Sequence, residues 1–143
     1  MTRVRSPKYP SFPLDEAVKH ARAIYEKDRT YPITREDVAK HMGYTSISGA
    51  SDKAISTMMQ YGLLERISKG EVRVSQTTVD ILHPENSQQR RAALRAAALH
   101  PPLFTQLQER FPEGEPSEQT LRSWLLREQF NDRAIQPVIR AYI

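Results

Sequence analysis

Gly43 and Gly62 cut the middle of the chain into segments of definite length and pattern. The first segment is Thr34-Arg-Glu-Asp-Val-Ala-Lys-His-Met42. Val38, Ala39 and Met42 fall on one helical face. Thr34 stands at the N-cap, with Asp37 three residues on in a weak version of the capping box. Gly43 follows directly, where a helix tends to end in a left-handed residue. In the second segment Ala50, Ala54, Ile55, Met58 and Tyr61 recur at helical spacing, which predicts a helix over 46–61 that Gly62 ends. Two short runs, Leu64 to Ile67 and Glu71 to Val74, then flank Ser68-Lys69-Gly70, a connection suited to a β-hairpin. Residues 34–75 therefore read as helix, tight turn, helix, hairpin.

The flanking sequence supplies partners for that unit. Leu14, Ala17, Val18, Ala21, Ile24 and Tyr25 form one apolar stripe over 14–27. Asp15 and Glu16 in its first turn and Lys27 near its end complement the helix dipole. Asp28 to Ile33 reads as a connection. Beyond the hairpin, Gln76 to His83 predicts one or two helical turns, Ser87 opens an alanine-rich helix to His100, and Pro101-Pro102 starts another. Ser117 caps a helix carrying Leu121, Trp124 and Leu125. Asn131-Asp132 opens a last one with Ile135, Val138, Ile139 and Tyr142. The organisation expected is a flexible basic arm (1–13), a first domain (14–75) and a C-terminal helical region (76–143) that packs on it or mediates self-association. The fold class is mostly α with a small β-hairpin: a winged helix-turn-helix followed by a helical C-terminal extension.

Composition narrows the chemistry. The 143 residues contain no cysteine, which excludes disulfides and thiolate metal sites and fits a reducing cytoplasm. No apolar run is long enough to span a membrane, and the opening residues lack the apolar core of a signal peptide. His20, His41, His83 and His100 have no metal-ligand spacing. A glycine-rich phosphate loop and a Gly-x-Ser-x-Gly nucleophile motif are both missing. The expectation is a protein that is not an enzyme, with no metal and no cofactor. The net charge of +4 is uneven. Residues 1–75 hold 13 Lys/Arg against 9 Asp/Glu, and residues 76–143 hold 8 of each. The excess is of the sign a nucleic-acid binder carries.

Helix 46–61 is the candidate recognition helix, because the N-terminal part of the second helix reaches base edges in helix-turn-helix docking. Its candidate contacts are Ser46, Ser48, Ser51, Lys53, Ser56, Thr57 and Gln60. It has no arginine, the commonest reader of guanine, and Asp52 opposes phosphate. The hairpin adds Lys69 at its tip and Arg73, with Arg66 nearby. Arg3 and Arg5 extend the set: an arm along the phosphates and a solvated tail both accommodate them. Arg90, Arg91 and Arg95 form a second basic group that a solvated helix face also explains.

At Tyr31-Pro-Ile-Thr-Arg-Glu-Asp-Val-Ala-Lys-His-Met-Gly43 and Gln60-Tyr-Gly-Leu-Leu-Glu65 the chain resembles the winged-helix regulators of prokaryotes. Ser48-Gly-Ala-Ser51, Gln60-Tyr-Gly-Leu-Leu64, Asp80-Ile-Leu-His-Pro84 and Pro101-Pro-Leu-Phe104 are similar to a family of uncharacterised bacterial and phage winged-helix proteins, over most of the chain from Tyr9. The likeness implies a winged helix with a helical C-terminal part and supplies no activity. The interval from Gly43 to Gly62 is longer than in common regulators, which shifts the turn or the start of the second helix.

Two functions follow as expectations. One is a cytoplasmic protein of transcription regulation that binds duplex DNA through helix 46–61 and hairpin 64–74, as a homodimer through its C-terminal helices. The other is a winged-helix protein-protein interaction module without DNA binding.

Overall fold

The computed structural model describes residues 9–128 together with Phe130 and Ile139. Arg3, Arg5 and the last predicted helix, with Ile135, Val138 and Tyr142, lie outside the described residues; Ile139 is buried. The architecture is mostly helical with a small three-stranded antiparallel sheet. In chain order it runs α1 (Leu14–Asp28), β1 (Ile33–Thr34), α2 (Arg35–His41), α3 (Gly49–Gln60), β2 (Leu64–Ser68), β3 (Glu71–Val74), α4 (Gln76–Leu82), α5 (Ser87–Leu99), α6 (Pro102–Arg110) and α7 (Glu118–Arg127).

Both α2 and α3 end as their glycines require. Gly43 has φ +95° and Gly62 φ +74°. The N–H groups of Tyr44 and Leu63 reach back to the carbonyls of Ala39 and Met58, each at 2.9 Å. Those are the long bonds of the Schellman motif, which a side chain at a left-handed position would strain. The same turn lengths set where each helix stops, and so where the hairpin begins.

The start of α3 differs from the sequence expectation. The helix begins at Gly49 and not at residue 46, because Ser48 and Ser51 form a reciprocal cap. The Ser51 N–H donates to Ser48 Oγ at 3.3 Å, and the Ser48 N–H donates to Ser51 Oγ at 2.7 Å. The turn between α2 and α3 is correspondingly long. Glycine, serine and threonine give α3 a poor intrinsic propensity. Its stability comes instead from the cap and from burying Ala54, Ile55 and Met58. Full burial of one such large apolar side chain contributes about 1.5–3 kcal/mol. Ala50, counted on the apolar face from the sequence, is exposed.

The sheet has the order β1-β3-β2. Ile33 pairs with Val72, so the connection after α1 contains a strand that the sequence did not reveal. Within the hairpin, Leu64, Val72 and Val74 are buried and share the helix-facing side, and Arg66 stands opposite Val72 on that side. Glu65 pairs with Arg73 on the other side. The Arg35 N–H donates to the Gly70 carbonyl at 3.1 Å, tying the hairpin tip to the start of α2.

Residues 9–13 are not part of a loose arm. Pro10 and Phe12 are buried. The Ser11 N–H donates to Thr57 Oγ1, and the Tyr61 hydroxyl donates to the Phe12 carbonyl, both at 2.9 Å. The strap is thus fastened to α3 through two polar groups that would otherwise be buried without partners.

The C-terminal helices join the same core. Ser75 Oγ donates to the Gly62 carbonyl and Thr78 Oγ1 to the Leu63 carbonyl, which fixes α4 beneath the exit of α3. Phe104 of α6 meets the ring of Tyr61, and Phe130 meets Tyr9. One contiguous apolar cluster runs from Phe12 through α1, α3 and the sheet to Leu121, Leu125 and Ile139.

Candidate nucleic-acid interface

The outward side of α3 is a polar stripe. Gly49, Asp52 and Lys53 are exposed, and Ser56 and Gln60 are half-buried along the same side. Beside it stands the hairpin. Between them lies a groove of about 400 Å³ lined by Arg35, Ser56, Met59, Arg66, Ser68 and Glu71, among others. Among the described residues, the C-terminal helices meet the far end of α3: His100 Nδ1 lies 2.7 Å from the Gln60 carbonyl and Phe104 packs on Tyr61. The N-terminal half of the stripe is left open.

Charge around the groove is mixed, with cations in excess. Arg35, Arg66 and Glu71 line it, and Lys53 and Asp52 on α3 and Lys69 at the hairpin tip are exposed. Arg35 Nη2 lies 3.3 Å from Asp52 Oδ1, so the one carboxylate on the exposed side of α3 is partly neutralised by its neighbour on α2. Glu71 accepts a hydrogen bond from Ser68 Oγ at 2.8 Å. Among the described residues, Lys53, Arg66 and Lys69 form no ion pair, so their charge is directed at solvent or a ligand.

The sequence-derived candidates divide into three groups. Lys53, Ser56 and Gln60 lie together on the stripe, and Lys69 is exposed at the hairpin tip. Ser46 is exposed in the turn ahead of α3 and not on the helix. Ser48 is exposed ahead of α3 with its hydroxyl oxygen in the cap, and Ser51 and Thr57 are corrections. Ser51 and Thr57 are both 0% exposed and cannot meet a base edge. Small hydroxyl residues on a helix look alike in sequence whether they face water or close a cap, and only the strap at residues 9–13 explains why Thr57 turns inward. Arg73 is a further correction: it pairs with Glu65 at 3.0 Å on the side of the hairpin away from α3.

Arg66 and Arg35 were not among the candidates and line the groove. Arg66 has a legible signal. Strand alternation puts it on the side of Leu64, opposite Val72 and facing the helices. Arg35 has none, because its position depends on the long-range bond from its N–H to Gly70.

No protein-family model, no curated protein and no solved structure matches the chain. The ground for a functional reading is the chemistry of this surface alone. Among the described residues no helix is long and apolar enough to cross a membrane.

Proposed function

We propose that the chain is a duplex-DNA-binding protein of the winged helix-turn-helix kind, a transcriptional regulator acting in the cytoplasm of a prokaryotic cell. The observation that carries this reading is the arrangement of Lys53, Arg66 and Lys69, without ion-pair partners among the described residues, around the open stripe of α3. A helix about 10–12 Å across fits the major groove. With α3 inserted there, the hairpin lies beside the groove, where Arg66 and Lys69 meet phosphate oxygens. Such contacts fix register and orientation without reading sequence. Binding is therefore dominated by phosphate and falls steeply with salt. The C-terminal helices serve a second copy, matching paired half-sites.

The test is a titration against random-sequence duplex at two salt concentrations. Lys53→Ala combined with Lys69→Ala weakens binding and flattens the salt slope. Unchanged binding in the double variant would remove this stripe and hairpin from the interface.

A second reading is a protein-interaction module. Leu126 on α7, which is 50% exposed, favours it, since an apolar side chain so placed gains from a partner. Absence of duplex binding at low salt, together with self-association lost in Leu126→Glu, would select this reading.

A further inference from the structure

Resting on the duplex-binding reading, we infer that Asp52 is a specificity-determining residue, its carboxylate accepting a hydrogen bond from the N4 amino group of a cytosine in the major groove. Several polar groups of α3 are engaged within the protein. Ser48 and Ser51 cap one another. Thr57 Oγ1 accepts the Ser11 N–H. Gln60 Nε2 donates to Ser56 Oγ at 3.2 Å. The two charged groups on the exposed stripe are the Lys53 ammonium and the Asp52 carboxylate.

Asp52 is half-exposed and held from one side only. Arg35 Nη2 approaches Oδ1, while Oδ2 has no hydrogen-bond partner among the described residues. The Arg35 backbone is held to the hairpin, its main-chain N–H donating to the Gly70 carbonyl. The carboxylate is therefore a preorganised acceptor between α2, α3 and the hairpin. Arg35 offsets the repulsion that a bare carboxylate would meet from phosphate.

A carboxylate can only accept. In the major groove the donors are cytosine N4 and adenine N6. Adenine places the N7 acceptor beside N6, which repels a carboxylate. Cytosine presents N4 with no acceptor on its own edge. Lys53, next along the stripe, supplies the donor that guanine O6 and N7 take. The complement of the two side chains is a G·C pair with cytosine toward Asp52.

Asp52→Ala, which removes the acceptor where Asn would keep one, separates the roles of this residue. The wild-type chain and the variant are each equilibrated with a random-sequence duplex pool at low salt, and the bound fraction is sequenced. The wild type enriches cytosine at one position about fivefold or more. The Ala variant binds the unselected pool more tightly, having lost a negative charge, and loses that enrichment. Placing N4-methylcytosine at the enriched position removes the groove-facing hydrogen, so it weakens the wild type and leaves the variant unaffected. A purely structural role for Asp52 would not produce that last difference. Duplex binding with the same cytosine enrichment in both chains, or with none in the wild type, overturns the assignment and leaves the DNA reading standing. No binding of the pool by the wild type overturns both.

Discussion

The Tyr61 hydroxyl donates to the Phe12 carbonyl across 2.9 Å inside the core. This bond joins the C-terminal end of α3 to the strap that precedes α1, residues 49 positions apart in the chain. Tyr61→Phe leaves the carbonyl without its donor and costs about 1–2 kcal/mol in urea unfolding. Equal midpoints in the two proteins would show that the bond contributes nothing.

The same residue sets an alkaline limit on stability. Burial, and secondarily the Asp15 carboxylate, pushes the Tyr61 phenol well above the ordinary tyrosine value. The unfolded chain releases this proton at about pH 10, whereas the folded chain retains it. The contribution is complete below about pH 10 and is lost as pH rises further through the raised folded value. Unfolding free energy measured between pH 8 and 11 should therefore fall less steeply above pH 10 in Tyr61→Phe than in the parent. Parallel curves would assign the alkaline loss to other groups.

Thr57 separates folding from binding. Thr57→Val removes the acceptor of the Ser11 N–H and is expected to cost about 1 kcal/mol or more. Because the side chain is enclosed, duplex affinity of the folded variant stays unchanged. A loss of affinity without a loss of stability would return Thr57 to the surface assigned to it from the sequence.

Arg29 and Gly62 probe backbone strain. Arg29 has φ +52°, and its Nη1 donates to the carbonyls of Tyr25 and Glu26 at the end of α1. Arg29→Ala keeps the strain and loses the bonds, while Arg29→Gly loses the bonds and relieves the strain. The Gly variant should be more stable than the Ala variant by about 1 kcal/mol. Gly62→Ala should cost more than Gly43→Ala. A Cβ at 62 meets the His100 ring at 3.2 Å, whereas one at 43 meets nothing within 4 Å. Thermal melts of the four proteins decide both comparisons, and equal losses within either pair would contradict it.

Local chemistry made much of the fold legible. Gly43, Gly62, Thr34 and Ser117 act as the caps and stops their types and positions imply. The hairpin at 64–74 follows from alternation around Ser68-Lys69-Gly70. What escaped depends on distant partners. The two-residue strand β1 is too short for a period and exists because β3 offers Val72 to Ile33. The inward turn of Thr57 needs Ser11, and the neutralisation of Asp52 needs Arg35. At the candidate site, residue type did not distinguish hydroxyls used in capping from those left free.

The hairpin offers the most direct measurement of the central claim, because Arg66 and Arg73 stand on opposite sides of the same two strands. Arg66 lines the groove beside α3, and Arg73 pairs with Glu65 away from it. Equilibrium binding of random duplex at low salt is compared for Arg66→Ala and Arg73→Ala. Loss of affinity in Arg66→Ala alone, with a salt slope reduced by about one, is the predicted result. Equal affinities in both variants and the parent, or a loss confined to Arg73→Ala, would contradict a DNA-binding surface built from α3 and this side of the hairpin.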